Sequence, residues 1–472
     1  MRALLLIALT PSMALAQCPP AFQPGEPGES GISDNFSAYV QPMTVYNGQI
    51  AFGGTFSIAG PLSTNNLALF DPATDTWSRV GGGINNGNTN GFVAALAKYP
   101  VNGVLGLVVG GSFANVRQTN GSAVANTTAL AAWDGSQWNS LNTGWAPATG
   151  KSVWSLLEWP RPNGTTWLVA GGGWDAIGAA TADGIAYWDG QAWNNIGGAN
   201  DTGIGGTFSP VVFCSTIFNN QLYIGGRFTS VNGVAVTNVA RWSGTAWQRP
   251  GTLSSGGATS DISSMYVWND GTGNKLYAGG YDLRIGASAA TVVIWNGSVW
   301  SRAGQNLGGR GTSLAAFDDG TGEKLYMGMT ADAQQEYLYR LENNVWTAVG
   351  GGMSVPIAGN FPSVFGLMVH DGSLYVGGDF QLAGDVPSYG IARYGPCDGP
   401  VCNDIDFNND GSLFDPQDIA AFLSVYSEGP CVPATGTCDD IDFNNDTGIF
   451  DPCDINSFLL VYSEGPCTNC GV

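Results

Sequence analysis

A repeated pattern is the strongest constraint on how residues 17–397 can fold. Its most complete copies have an apolar stretch, a "GG" pair with an aromatic residue, a loop, a second apolar stretch ending in an aromatic residue, and a tight turn with tryptophan. A period of 49 to 61 residues separates the first glycines of the seven copies, which are Gly53, Gly110, Gly171, Gly225, Gly279, Gly328 and Gly377. A period of this length is typical of solenoids and propellers.

Turn signals divide each period into four short strands. Asn47-Gly48, Asn219-Asn220 and Asp371-Gly372 separate apolar stretches, and these residue types tolerate the positive φ of a two-residue hairpin turn. A second hairpin follows at sequences such as "DGSQW" and "NGSVW". Seven units of four antiparallel strands predict a mainly β fold, a seven-bladed β-propeller over residues 17–397. Helical periodicity is absent there, which argues against a helical solenoid.

The seventh copy lacks its fourth strand. The sequence "PAFQPGE" near the N-terminus is similar to the fourth strand of the sixth copy, with Phe22 in the tryptophan position. We therefore expect the N-terminal strand to complete the seventh blade and leave no open sheet edge. This arrangement places Cys18 beside Cys397, and we predict a disulfide between them.

The first sixteen residues have the features of a secretory signal peptide. Arg2 precedes a short apolar run, and Ala14-Leu15-Ala16 provides small residues for cleavage. The run is too short to cross a bilayer. We predict an exported chain that does not span the membrane and is extracellular, cell-surface or periplasmic.

The negative charge is concentrated at the C-terminal end. The chain has a formal net charge of −21, which argues against nucleic acid and anionic membranes as partners. Residues 398–472 contain 14 Asp and Glu residues and no Lys or Arg. A compact domain with this charge would repel itself, so we expect a bound cation.

Two near-copies of a cysteine-bracketed segment form this tail. Alternating oxygen side chains followed by glycine are the first half of an EF-hand-type calcium loop, because Ca²⁺ prefers six to eight oxygen ligands. The candidate ligands of two Ca²⁺ ions are Asp406, Asn408, Asp410, Ser412 and Asp418 in the first copy, and Asp442, Asn444, Asp446, Gly448 and Asp454 in the second. Gln417 and Cys453 stand where an acid should close each loop, with Asp415 and Asp451 two residues earlier. Either the loop is one residue longer and closed by Asp418 and Asp454, or the site is weaker, so the closing acid stays open.

A helical pattern follows each loop and ends at "EGPC". Over about residues 402–470, these paired loops and helices resemble the dockerin module, in the cysteine-bracketed form seen at the ends of exported planctomycete proteins. The resemblance implies a small α-helical domain at 398–472 with two Ca²⁺ ions and a cohesin-like or envelope protein as partner. The repeats of residues 17–397 resemble bacterial exported propellers with Kelch-like repeats.

The tail cysteines can pair in several ways. Two expected disulfides tie the start of each copy to its helix end, and a third follows by elimination; they are Cys402–Cys431, Cys438–Cys467 and Cys453–Cys470. Cys214 remains, and we expect a buried free thiol there.

Few residues of the repeat region point to catalysis. His370 is the single histidine of the chain, so zinc sites and Ser-His-Asp triads are effectively excluded. Acidic residues in loops could form a carboxylate pair, although none is recognisable in the sequence; the candidates are Asp175, Asp201, Asp261 and Asp332. Three tryptophans fall outside the repeat pattern and are expected to pack rather than to bind sugars: Trp145, Trp159 and Trp268.

These features favour an exported, non-catalytic binding or display propeller tethered by a calcium-binding tail. We expect a glycan or protein ligand on the propeller loops. The alternative is a carbohydrate-active enzyme, a glycoside hydrolase or lyase, with paired carboxylates in the propeller centre. A third option is a structural component of the envelope.

Overall fold

The computed structural model describes residues 20–23, 27, 30–33, 38–85, 91–145, 150–161, 163–207, 209–331, 336–355 and 361–396. These residues form β-strands and contain no helix. One compact unit spans Phe22–Tyr394, and residues 1–21 together with 395–472 form a second unit. The predicted signal peptide, calcium loops, tail helices and disulfides, with Cys18 and Cys397, lie outside the described residues.

Most strands belong to seven small antiparallel sheets, numbered here in chain order. The strands of sheets 1 to 3 are Tyr39–Tyr46, Gln49–Thr55, Leu67–Asp71 and Thr76–Arg79; Phe92–Val101, Val104–Ser112, Leu130–Trp133 and Trp138–Asn139; and Ser152–Pro160, Thr166–Gly173, Ile185–Trp188 and Trp193–Asn194. The strands of sheets 4 to 7 are Val211–Phe218, Gln221–Arg227, Val239–Trp242 and Trp247–Gln248; Asp261–Asn269, Asn274–Ile285, Ser288–Trp295 and Trp300–Arg302; Arg310–Asp318, Glu323–Thr330, Leu338–Glu342 and Val345–Ala348; and Ser363–His370, Ser373–Asp379, Ile391–Gly395 and Ala21–Gln23. The four-stranded antiparallel units that the repeat predicts are thereby confirmed.

Consecutive sheets lie side by side, and the last lies beside the first. In each pair of neighbouring sheets, the first strand of one contacts the first strand of the next. The first strand of sheet 7, Ser363–His370, also contacts the first strand of sheet 1, Tyr39–Tyr46. The seven first strands therefore form a closed series of contacts.

The N-terminal strand completes sheet 7. Ala21–Gln23 pairs with Ile391–Gly395 as the fourth strand. The ring of Phe22 lies 5.2 Å from that of Tyr394, and the corresponding distance in sheet 2, between Trp133 and Trp138, is 5.5 Å. Phe22 thus occupies the position that tryptophan has in the other sheets, as the repeat predicts.

The first glycine of each "GG" pair lets neighbouring sheets approach closely. A methyl group on Gly53 would lie 2.5 Å from Cγ1 of Val93 in the next sheet. Comparable distances of 2.5 to 2.7 Å to a β-branched side chain of the following sheet hold for Gly110, Gly171, Gly225 and Gly377. Close packing leaves no room for an added methyl group, so glycine at this position sets the distance between sheets.

The second glycine faces a bulge in the first strand. In sheet 2 the register between the first and second strands shifts between Val93 and Ala95, with Ala94 as the inserted residue. A methyl group on Gly111 would overlap the carbonyl oxygen of Phe92 at this place. All seven first strands have such a shift at the equivalent place. In six of the seven sheets "GG" therefore combines close sheet packing with a recurring backbone irregularity, and in sheet 6 the pair is Gly328-Met329.

Short additional strands pair with each other in the loops near the bulges. In most cases a short strand in the segment before a sheet pairs with one in the loop between the second and third strands of that sheet. The ranges are Ile32–Ser33, Ile58–Ala59 and Leu62–Ser63; Ile84–Asn85 and Asn115–Val116; Ile204–Gly205, Ser230–Val231 and Val234–Ala235; Ser254–Ser255, which pairs with the second strand of sheet 5; and Met353–Ser354, Leu382–Ala383 and Val386–Pro387.

The predicted hairpin turns are confirmed at the opposite end of the sheets. Asn47, Asn219 and Asp371 have φ values of 50°, 49° and 44°, and each follows directly on a first strand. Asp134 stabilises a second type of turn, because its Oδ1 accepts hydrogen bonds from the amides of Ser136 and Gln137.

Candidate functional site

The starts of the seven first strands occupy equivalent positions, because each strand has its bulge at the same place. The inserted residues are Gln41 and Pro42, Ala94, Trp154, Phe213, Ser263, Thr312 and Phe365. We call the interacting side chains at these strand starts the mouth cluster: Tyr39, Phe92, Trp154, Phe213, Arg227, Asp261, Ser263, Tyr281, Arg310 and Phe365.

Five aromatic residues of the mouth cluster, one from each of five sheets, form two groups of contacting rings. The Trp154 ring lies 5.0 Å from that of Phe92 and 5.6 Å from that of Phe213. The rings of Tyr39 and Phe365, from sheets 1 and 7, lie 5.2 Å apart. All five residues are half-buried. They provide a partly accessible apolar surface that no single sheet could form.

A buried ion pair joins sheets 5 and 6 in the same cluster. Asp261 is fully buried, and its Oδ2 lies 2.8 Å from Nη1 of Arg310. The direction of the Arg310 N–H does not satisfy hydrogen-bond geometry at this oxygen, so the contact is an ion pair. Ser263 donates a hydrogen bond of 2.7 Å to Oδ1 of Asp261, and the Arg310 guanidinium lies 5.5 Å from the ring of Tyr281.

The environment of Asp261 raises the pKa of its carboxyl above the ordinary value. Burial raises the pKa of the Asp261 carboxyl, while Arg310, Ser263 and Arg227 act in the opposite direction. Asp261 is thus a carboxyl group held between two arginines at the strand starts.

Arg227 connects the two parts of the cluster, because it contacts the aromatic ring of Phe213 and its charge acts on Asp261. Its guanidinium lies 5.9 Å from the ring of Phe213, and Nη2 donates a hydrogen bond of 3.4 Å to the carbonyl oxygen of Ser209. The buried Nε of Arg227 has no hydrogen-bond partner among the described residues. Arg227 therefore retains capacity to donate hydrogen bonds.

The candidate carboxylates have different roles. Asp201 is buried and accepts hydrogen bonds from the amides of Gly197 and Gly203, at 2.8 and 2.9 Å, and from Nε1 of Trp247 at 2.9 Å. These contacts make it a structural residue. Asp175 has a largely exposed side chain, 2.8 Å from Lys151. Of the four candidates, Asp261 alone is placed in the mouth cluster, and Asp332 lies outside the described residues.

The predicted packing roles of the three tryptophans are confirmed, since Trp268 also packs against the core, with its ring 5.5 Å from that of Tyr277. Trp145 is buried and donates a hydrogen bond of 2.6 Å to the carbonyl oxygen of Ala176. Trp159 is also buried. Trp268 is half-buried, and its Nε1 donates to Glu323 at 2.7 Å.

Cys214 is a free thiol, the state expected for it. Part of the residue is exposed, but the sulfur is enclosed against sheet 5, where it lies 3.8 Å from the carbonyl oxygen of Ile262. Burial raises the pKa of this thiol. His370 lies at the turn end of its strand, 3.2 Å from Asp371, far along the strand from the bulge.

Sequence reasoning missed Trp154, the central residue of the aromatic part. Its stretch, "VWSLLEW", reads as an ordinary strand, and the tryptophan does not occupy a repeat position. A bulge between Val153 and Ser155 sets the position of Trp154. The available signal was the repeated second glycine, which faces the bulge in six of the seven sheets, Met329 taking its place in sheet 6.

Metal binding cannot be placed at the mouth cluster. Within the described part of the chain, no group of three or more His, Cys, Asp or Glu side chains is arranged to hold a metal ion. The ten predicted calcium ligands between Asp406 and Asp454 lie outside that part. In the same described part, no helix has the length and apolar character needed to cross a bilayer.

No protein-family model matches the sequence, and no curated protein matches it. Among solved structures, the chain is similar to the extracellular domain of the hybrid two-component system BT4673 from B. thetaiotaomicron, with 13% identity and a TM-score of 0.47 over 83% of this chain. The match spans 42% of that structure's length. The chain is also similar to the designed Ika8 protein, with 13% identity and a TM-score of 0.40, over 78% of this chain and 100% of that chain. For the polysaccharide lyase Uly1 the identity is 11% and the TM-score 0.36, over 80% of this chain and 96% of that chain.

Proposed function

We propose that this chain is an exported binding protein, in which a seven-bladed β-propeller presents the mouth cluster to an extracellular glycan. The closed series of contacts between first strands supports the propeller. The close approach of Gly377 to Val40 supports closure between the seventh and first sheets in the same manner as at other boundaries. The sequence pattern of a secretory signal peptide over residues 1–16 supports export.

The half-exposed indole of Trp154 is the observation that carries glycan binding. Aromatic rings stack on the apolar faces of sugar rings, while side chains with hydroxyl or charged groups form hydrogen bonds with the sugar hydroxyls. Trp154 lies between Phe92 and Phe213, and its Nε1 is held by Ser152 at 2.9 Å. Its neighbours therefore restrain the ring before any ligand binds, which lowers the entropy cost of binding.

Calorimetric titration of the full chain against a panel of extracellular oligosaccharides tests this function. For a glycan that binds, we expect Trp154→Ala to weaken the affinity by about tenfold, which is about 1.4 kcal/mol. Trp167→Ala is the matched control, because Trp167 is also half-buried but lies near the turn end of the same sheet. Binding of proteins but of no glycan, or equal loss in both variants, would contradict the proposal.

We further propose that residues 398–472 tether the propeller through two Ca²⁺ ions. The support is the duplicated pattern of oxygen ligands, headed by Asp406 and Asp442, in a segment without basic residues. Retention of the full chain on native envelope material is expected to fall when calcium is chelated. Asp406→Asn with Asp442→Asn should have the same effect with calcium present, and retention that ignores both changes would contradict the tether.

A carbohydrate-active enzyme is a second candidate, and Asp261 favours it. A buried carboxyl with a raised pKa is suited to donate a proton to a leaving group. Asp261→Asn, which keeps the size of the side chain, separates the two functions. Polysaccharide cleavage by the unmodified chain that is lost in Asp261→Asn would support the enzyme, whereas binding without cleavage supports the binding protein.

A further inference from the structure

We propose that the mouth cluster selects an anionic sugar unit, a uronate or a sulfated residue, through Arg227 and Arg310. This inference rests on the proposed glycan function and names the class of glycan. It concerns the side of the cluster where sheets 4, 5 and 6 meet.

Arg227 has unused hydrogen-bonding capacity. Arginine has five N–H donors in a planar fork that matches carboxylate and sulfate oxygens. The described partner of the Arg227 guanidinium is one long hydrogen bond, 3.4 Å, to Ser209. Nε is buried and without a partner among the described residues. Burying such a donor is unfavourable unless a ligand satisfies it.

Arg227 and Arg310 interact with one carboxylate, Asp261, so these three residues carry an excess of one positive charge when Asp261 is ionised. Nearby in sheet 5, Asp282 is paired with Arg284 at 3.4 Å. At sheet 3, Lys151 lies 2.8 Å from Asp175 and also interacts with Asp183, so that group carries one net negative charge. Asp379 ends the second strand of sheet 7, and its charge contributes to raising the pKa of Tyr39, one of the aromatic residues of the cluster.

The position of Arg227 is chemically unusual among the seven sheets. It ends the second strand of sheet 4, opposite Val211 in the register. At the equivalent register position four sheets carry the small residues Thr55, Ser112, Gly173 and Thr330, sheet 5 carries Tyr281 and sheet 7 carries Asp379, so among the seven described sheets Arg227 is the only cation at this position. A long cation at this place, with Phe213 beside it, can bond an acidic group while the aromatic ring contacts the sugar ring.

Because the chain has a net charge of −21, its overall field repels an acidic glycan, and the proposed selection has to come from direct contacts with the arginines. Repulsion between the chain and a polyanion is screened beyond about 8–10 Å at physiological salt. Direct pairing with a half-buried arginine is screened much less. Affinities should therefore be compared at one fixed ionic strength near 0.15 M.

Matched glycan pairs test the inference. The first pair is an oligogalacturonate and its full methyl ester, and the second is a sulfated galactan oligosaccharide and its desulfated form. We expect at least one acidic member to bind tenfold or more tightly than its neutral counterpart. The pair that shows the difference tells carboxylate from sulfate recognition.

Variants of Arg227 locate the effect. Arg227→Gln is expected to weaken binding of the acidic member tenfold or more and to weaken binding of the neutral member much less, so that most of the preference is lost. Arg227→Lys keeps the charge without the fork and should retain part of the preference. Arg302→Gln, an exposed arginine on the fourth strand of sheet 5, is the control with the same charge change and should behave like the unmodified chain.

The outcomes separate the two proposals. Equal binding of acidic and neutral members, or equal effects of Arg227→Gln and Arg302→Gln, would overturn the anionic selection and leave glycan binding in place. Absence of binding to both members of each pair overturns the anionic selection, and glycan binding itself fails if the wider panel is also silent. Thermal melting of each variant verifies that the chain is folded.

Discussion

A methyl group on Gly377 would lie 2.7 Å from Cγ1 of Val40, although 337 residues separate the two in the sequence. Val40 is fully buried and belongs to the first strand of sheet 1, while Gly377 belongs to the second strand of sheet 7. The same relationship joins Gly110 to Val153 between sheets 2 and 3. The boundary between the chain ends is therefore packed like the internal boundaries.

We predict that Gly377→Ala destabilises the sheet unit by about 1–3 kcal/mol, because an added methyl group overpacks this boundary. In the double variant with Val40→Ala, the loss should be smaller than the sum of the two single losses. Urea unfolding of the three variants measures the coupling. Strictly additive losses would show that the two residues do not meet.

Phe22→Ala should destabilise the same unit by about 3–5 kcal/mol, because it removes a buried ring that packs against Tyr394 at the closing strand. Ala21→Ser is the control, since Ala21 is the exposed neighbour in the same strand. Both variants can be compared by the midpoint of urea unfolding. A midpoint of Phe22→Ala equal to that of the control would mean that the N-terminal strand does not close sheet 7.

Asp201→Asn should lower stability by about 1–3 kcal/mol without changing ligand affinity. Oδ1 of Asp201 accepts from Gly203, and Oδ2 accepts from Gly197 and Trp247. The amide nitrogen of Asn replaces one of these oxygens and cannot accept, so at least one buried donor loses its partner. Asp175→Asn, at an exposed ion pair, should change stability by no more than about 0.5 kcal/mol. Loss of a catalytic activity in Asp201→Asn at full stability would reverse the structural assignment.

The lowered pKa of Asp319 makes the stability of the fold decrease at acid pH. Burial by itself raises the pKa of Asp319, but hydrogen bonds from Thr321 and Tyr326 and the charge of Lys324 outweigh it and lower the pKa to about 2. Arg340 lies 2.7 Å from the same carboxylate. The ordinary value is 3.8, so this group stabilises the fold above pH 4 and the contribution is lost as the pH falls through 2.

The size of this contribution is about 2 kcal/mol, from a pKa difference of about two units. The unmodified chain should lose that much more stability than Asp319→Asn between pH 4.5 and pH 2. Chemical unfolding across this range in both chains measures the difference. Parallel curves for the two chains would assign the acid sensitivity to other carboxylates.

The local sequence determined the strand units of this protein. Turn residues such as Asn47-Gly48 fix where a strand ends, and the apolar stretches between turns form the strands, so both can be predicted within one repeat. The position of Phe22 was also predictable, because the missing fourth strand has a recognisable spacing. The Ca²⁺ ligands and disulfides of the tail stay predictions from the sequence.

The tertiary structure decided which residues form the candidate site. Trp154 is placed at the mouth cluster by a bulge, and a bulge depends on the register with a partner strand rather than on residue type. Asp201 and Asp261 look alike in the sequence, yet one accepts a hydrogen bond from Trp247 and the other meets Arg310. Contacts between sheets join residues about 50 positions apart, and no local pattern encodes them.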